Sequence, residues 1–85
     1  MSLNLKIVSP EKIVFNGSVE SVIVPGSLGR FEILIDHAPI ISSLEKGSVD
    51  YKTVDGEQNS FDILGGFVEV QKNKVDLCVE IGGTV

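Results

Sequence analysis

The sequence predicts an all-β domain, a sandwich or flattened barrel of about eight to ten short strands. Three observations carry that expectation. The apolar residues are of the β-branched kind, 12 Val and 9 Ile against 7 Leu and a single Ala, and branching at Cβ suits a pleated strand better than a helix. Several segments alternate apolar and polar residues with a period of two, and none follows the helical period over a window of about 11 residues. The 9 Gly and 3 Pro are scattered between these segments as turn markers.

Each element follows from its own residues. Leu3, Leu5 and Ile7 alternate with Asn4 and Lys6, which sets a first strand ending near Val8. Pro10 has no amide proton and a fixed φ, so residues 9–12 break the pattern and a short strand follows over residues 13–15. Asn16-Gly17 reads as a tight turn that brings residues 19–24 back against that strand. Pro25, Gly26, Ser27, Leu28 and Gly29 carry the chemistry of the next turn. A strand over residues 30–35 precedes the irregular Asp36-His37-Ala38-Pro39, and another runs over residues 40–44. Residues 47–54 and 60–64 form a hairpin around Asp55-Gly56, a two-residue turn signal. Gly65-Gly66 leads into a strand over residues 67–70, and Lys72-Asn73-Lys74 makes a turn. Val75, Leu77, Val79 and Ile81 then alternate strictly, with Asp76, Cys78 and Glu80 on the opposite face. The pattern stops at residues 82–85, so one domain is expected to fill residues 1–85.

Composition removes several classes of function. A net charge of −5 argues against an independent binder of phosphate backbones, so no nucleic-acid partner is expected. The longest apolar runs, such as Val22-Ile23-Val24 and Ile33-Leu34-Ile35, fall far short of the ~20 residues needed to cross a bilayer. Residues 1–8 hold one Lys and no long apolar stretch, unlike a secretion signal. With Cys78 alone no internal disulfide forms, and the simplest location is cytosolic, or peripheral to a membrane from its cytosolic side.

Catalytic and metal chemistry find little support. His37 is the sole histidine; its neighbour Asp36 points to the other face of an extended segment, a poor geometry for an orienting acid. One Cys and one His cannot supply a structural zinc site, and no cofactor is expected. Gly26-Ser27-Leu28-Gly29 lacks the Lys and the following helix of a phosphate-cradling loop. Pairs such as Glu11 with Glu20, or Asp50 with Asp62, read as a solvated face. What stands out is the apolar excess of residues 31–41, where Phe31, Ile33, Leu34, Ile35, Ile40 and Ile41 exceed what a half-exposed strand needs. An outward set of this kind points to a partner protein.

In order and spacing, Leu5-Lys6-Ile7-Val8-Ser9-Pro10-Glu11, Val14-Phe15-Asn16-Gly17-Ser18-Val19-Glu20, Val24-Pro25-Gly26-Ser27-Leu28-Gly29, His37-Ala38-Pro39-Ile40, Leu44 with Lys46-Gly47, and Gly65-Gly66-Phe67-Val68-Glu69-Val70 resemble the ε subunit of F-type ATP synthases. The resemblance implies a flattened β-sandwich of about ten strands in two five-stranded sheets. It implies a rotor subunit on the central stalk that has no catalytic residue, grips the γ subunit and rests on the c-ring, in a complex with α and β subunits. By position, Ser9, His37, Ile40, Ile41 and Ser42 fall at the γ contact, and Gly26, Ser27, Leu28, Gly29, Arg30 and Phe31 at the c-ring contact. Membrane attachment would come only through the complex, at the cytoplasmic face of a bacterial plasma membrane.

Three departures accompany the likeness. Ile35-Asp36 stands where the family usually has Pro-Gly, Glu32 where it has Gly, and Arg30 where an acidic residue is common. The first bears on the local turn and the last on the polarity of the ring contact. The family's C-terminal helical hairpin would begin past Ile81, so inhibition or ATP binding through it is not expected here. Two other readings compete. A stand-alone β-sandwich that binds a ligand or single-stranded nucleic acid needs an aromatic platform or basic groove, for which Tyr51, four Phe and dispersed lysines are the only material. A small hydrolase would have to rest on Asp36 and His37.

Overall fold

Leu3, Leu5 and Ile7, whose alternation marks the first strand, have no exposed surface at all in the computed structural model, which describes residues 2–82. Eight strands form, and no helix occurs among the described residues: β1 (Leu3–Val8), β2 (Ile13–Gly26), β3 (Gly29–Ile33), β4 (Ile40–Leu44), β5 (Gly47–Thr53), β6 (Gln58–Ile63), β7 (Gly65–Gln71) and β8 (Lys74–Glu80). The hydrogen-bonded order is β1-β8-β7-β4-β2-β5-β6, with β3 on β2 and β1 also pairing β2. One layer comprises β4, β7, β8, β1 and the first half of β2; the other comprises β3, the second half of β2, β5 and β6.

The count is eight rather than ten, and one strand of the difference arises because β2 stays whole. A two-residue hairpin turn of type I′ needs positive φ at both central residues, and neither Asn16 nor Gly17 has it. Both remain in the ladder instead, Asn16 opposite Lys6 and Gly17 opposite Leu5. β2 changes layers by a bulge, with a register shift between Val19 and Ser21 on the β5 side. The extra residue shifts the side-chain parity, so that Val19, Val22 and Val24 are all buried. The strand expected over residues 30–35 is shorter, since β3 stops at Ile33.

The β5–β6 hairpin forms, but with a three-residue loop. Gly56 N–H donates to the Thr53 carbonyl at 2.9 Å and Thr53 N–H to the Glu57 carbonyl at 2.9 Å, and Gly56 alone has positive φ, 88°. This is a type I turn followed by a left-handed residue. The β7–β8 turn is the two-residue form, with Lys72 at φ 50° and Asn73 at 62°. β1 and β8, near the two ends of the described chain, pair in parallel from Asn4 opposite Lys74 to Val8 opposite Cys78. The core cluster draws Leu3, Leu5, Ile7, Val19, Val24, Ile33, Val49, Ile63, Val68, Leu77 and others from both layers. No buried polar side chain lies among the described residues.

Gly66 is the tightest backbone approach. It sits at φ 147°, and a Cβ built there would fall 2.1 Å from the Cys78 carbonyl oxygen of the neighbouring strand. Gly66→Ala should therefore cost about 3 kcal/mol or more, whereas Gly56→Ala, in open space but at positive φ, should cost about 1 kcal/mol. Urea unfolding of the two variants beside the parent chain measures the difference.

A candidate interaction face

The outer face of the layer containing β4, β7, β8 and β1 carries two parallel rows of side chains that cross the strands. In the first, Phe67 lies opposite Cys78, Cys78 opposite Val8, and Val8 opposite Ile13. In the second, Ile41 lies opposite Glu69, Glu69 opposite Asp76, and Asp76 opposite Lys6. Ile41 is diagonal to Phe67, within reach for large side chains on one sheet face. Three apolar members are open to solvent, with Ile41 73%, Ile13 57% and Phe67 48% exposed, while Val8 and Cys78 are half-buried. A shallow groove of about 400 Å³ follows the first row, lined by Val8, Ser9, Pro10, Phe67, Cys78 and Glu80. The surface is thus a greasy strip flanked by an acidic pair, with adjacent carboxylates held by strand register rather than by mutual attraction.

Ser9, His37, Ile40, Ile41 and Ser42 do not converge on one point. Ser9 closes the groove at the Glu80 end of β8, held by its N–H and Oγ to the Lys12 carbonyl at 2.9 and 3.3 Å. His37 lies towards the opposite end, where its loop meets the β7–β8 turn. Its Nδ1 is 2.7 Å from the Ala38 carbonyl oxygen; a carbonyl only accepts, so Nδ1 carries the proton and Nε2 of the neutral ring is left as an acceptor. On β4 the strand period divides the remaining three. Ile41 faces out, whereas Ile40 packs on the core and Ser42 is half-buried.

Residues 34–37 form a turn closed by the His37 N–H to the Leu34 carbonyl at 3.1 Å. Asp36 is its third residue and has φ 63°, while Ile35 has no positive φ. Positive φ at the third position alone marks a type II turn, the form that Pro-Gly favours. Ile35-Asp36 therefore forms the kind of turn that a Pro-Gly pair would favour.

Gly26, Ser27, Leu28, Gly29, Arg30 and Phe31 do come together, as the tip of the β2–β3 hairpin with Gly26 opposite Gly29. Leu28 is fully exposed at the apex. Ser27 N–H donates to the Ser43 carbonyl at 3.1 Å and Glu45 N–H to the Pro25 carbonyl at 2.8 Å, tying the tip to the end of β4. Phe31 lies over Gly26, where an added Cβ would come within 2.8 Å of the ring. Arg30 reaches from β3 to β5, donating to Asp50 Oδ2 at 2.6 Å and to the Ser48 carbonyl at 2.8 Å. Its charge is therefore met within the chain.

Among the described residues the arrangement brings Asp36 and His37 into no catalytic pair. Asp36 engages Asn73 and His37 engages Ala38, so the acid does not orient the ring. Asp50 and Asp62 are diagonal rather than opposite, lying across from Ser60 and Ser48. No group of His, Cys, Asp and Glu positioned to hold a metal occurs among the described residues. Phe15 packs at a tilt on Tyr51 and Tyr51 meets Phe61 edge-on, with centroids 4.6 and 6.5 Å apart, instead of forming an open platform. Burial and the Glu57 carboxylate both raise the Tyr51 phenol, which keeps it uncharged.

The row of Val8, Ile13, Phe67 and Cys78 was not legible as a site in the sequence. Its separate signals were present, since Phe67 is out of phase with Val68 and Val70, and Cys78 with Leu77 and Val79. Lateral alignment depends on the parallel β1–β8 register, which no local pattern encodes.

Comparison with known proteins adds a family. Residues 2–81 match the model of the ATP synthase delta/epsilon chain β-sandwich domain. The chain is similar to two proteins named ATP synthase epsilon chain. It is 42% identical to that of Chlorobaculum tepidum, with 93% of this chain and 90% of the relative covered, and 44% identical to that of Chlorobium limicola over the same shares. Among solved structures, a chain of the Euglena gracilis mitochondrial ATP synthase, in a complex described as OSCP/F1/c-ring, has a similar fold, with a TM-score of 0.87 at 19% identity. The match covers 92% of this chain and 50% of that one.

The division of β4 predicts opposite outcomes for neighbouring residues. Ile41→Lys, opposite Glu69 on an open face, should change stability by no more than about 0.5 kcal/mol. Ile40→Lys, which puts a charge against the core, should cost about 2 kcal/mol or more. Thermal and urea unfolding of both variants would check this.

Proposed function

The chain belongs to the ATP synthase delta/epsilon family, whose β-sandwich domain spans residues 2–81, and from that membership we propose that it acts as a non-catalytic central-stalk subunit of an F-type ATP synthase. In this role it links the γ subunit to the c-ring and couples proton-driven rotation to ATP synthesis at catalytic sites on other subunits. The observation that carries the reading is likeness to proteins named ATP synthase epsilon chain across nine-tenths of both partners, at 42% and 44% identity.

The physical character of the domain supports it. A rotor element must pass torque without shearing, and a close-packed interior resists shear. Here the interior is wholly apolar among the described residues and is bounded by hydrogen-bonded strands. The strip of exposed Ile41 and Phe67 with half-buried Cys78 and Val8 suits the γ subunit, with Ser9 and His37 at its two ends, because an apolar strip on a sheet is stable in water only at the cost of unburied area. The hairpin tip, with Leu28 projecting and Arg30 already paired, suits a contact with the c-ring through its backbone and its apex. Location follows from the complex: the chain sits at the membrane surface as part of the synthase, on the cytoplasmic face of a bacterial plasma membrane. No helix of the described residues is long and apolar enough to cross a membrane.

A tagged copy of the chain, expressed in its source cells and recovered from detergent-solubilised membranes, should bring down the γ subunit, the catalytic subunits and the c-ring. Recovery of none of them would remove the reading. Ile41→Lys combined with Phe67→Glu should weaken capture of γ at least about tenfold, as expected for loss of a central apolar anchor, in a chain that still unfolds cooperatively. Undiminished capture would move the γ contact to another face.

A further inference from the structure

Two turns far apart in sequence hold each other through residues that both sit at positive φ. Asp36, at φ 63°, donates its backbone N–H to Asn73 Oδ1 at 2.7 Å, and Asn73 Nδ2 donates to Asp36 Oδ1 at 3.3 Å. Asn73, at φ 62°, also accepts the Asn4 N–H on its own carbonyl at 2.9 Å. One residue thus ties three segments: its side chain joins the β7–β8 turn to the turn preceding His37, and its backbone carbonyl joins the start of β1. The orientation of the amide follows from chemistry, because a backbone N–H can only donate and an ionised carboxylate can only accept.

A type II turn ordinarily takes Gly at its third position, since other residues resist positive φ. Asp tolerates that region better than most residues, but something must hold it there. Both polar groups that Asp36 presents to Asn73 are met by the one amide. Nothing else in the described residues 34–39 bonds this segment to a distant strand through a side chain.

We propose that Asn73 is the positioning residue for the His37 loop, fixing through Asp36 the angle at which His37 is offered to the γ subunit; the second half of this statement rests on the reading of that loop as a γ contact. The pair is a latch with an exchangeable polarity. Asn73→Asp sets carboxylate against carboxylate, and the repulsion moves the acceptor away from the Asp36 N–H. Combining it with Asp36→Asn restores a donor opposite an acceptor at unchanged net charge.

Amide hydrogen exchange on the chain tests the latch directly. In Asn73→Asp the Asp36 amide should exchange roughly tenfold faster, on the scale of one lost hydrogen bond, while the Leu77 amide in the middle of β8 is unaffected. The exchanged pair Asp36→Asn with Asn73→Asp should restore protection. Asn73→Gly, which keeps the positive-φ turn and removes only the side chain, should behave as Asn73→Asp. Unaltered protection at residue 36, failure of the exchanged pair to restore it, or a parallel loss at Leu77 each overturns the latch. Release from purified γ is the second readout: it should speed roughly tenfold in Asn73→Asp and return to the parent rate in the exchanged pair. Lost protection with unaltered release overturns the role of the loop as a γ contact and leaves the latch standing.

Discussion

β2 is the constraint on which the rest of the molecule depends. It pairs with β1, β3, β4 and β5, and no other strand has more than two partners. A strand that long buries only one face unless its parity changes, since alternate residues point to opposite sides. The bulge beside Val19 supplies the change, so that Val19 faces the interior from one layer and Val22 and Val24 from the other. Without it, Ile23 and Pro25 would exchange faces with Val22 and Val24, and the second layer would present Arg30 and Glu32 to the core. A one-residue slip reverses a strand's faces in this way, which makes the register strongly specified.

The legibility of the chain divides along the same line. Strands whose alternation is local, β1, β5 and β8, are read correctly from residues such as Leu3, Val49 and Leu77. Asn16-Gly17 misleads because its turn propensity is intrinsic, while the partner that keeps it extended, Leu5, lies a dozen residues away. Tertiary pairing outweighs a local preference of about 1 kcal/mol. The site divides too. Residues 26–31 are contiguous, and the chain brings them together as one hairpin tip. The face around Ile41 is assembled from five strands, and its composition depends on registers that sequence spacing leaves open. The separation of Ile40 from Ile41 follows from the strand period alone, one packing on the core and the other facing solvent.

The two surfaces differ in what could hold them to a partner. The face of the first layer offers apolar area next to Glu69 and Asp76, and a complementary surface would bring apolar side chains with a cation near the acidic pair. Specificity there comes from matching both rows at once, since an apolar strip alone is indifferent to orientation. The ends of the strip are fixed by different means, Ser9 by the 9–12 turn and His37 by a loop latched to the opposite end of β8.

Arg30 illustrates how a residue that looks like a partner contact in sequence is spent inside the fold. Its guanidinium lies across β2, above the only position on that strand, Pro25, that lacks an amide proton, and reaches Ser48 and Asp50 on β5. The pair is well over a third exposed on the arginine side, so its contribution to stability is small, of order 1 kcal/mol or less. Its geometric effect is larger, because it staples β3 to a strand with which it shares no backbone hydrogen bond. An incoming acidic group would have to displace Asp50 to reach the guanidinium, and would gain only the difference between two similar charge-assisted bonds. The polarity of the tip is therefore close to neutral, and what it offers outward is Leu28 and the backbone of Ser27 and Gly29. A tip of that kind follows a partner surface by shape rather than by charge.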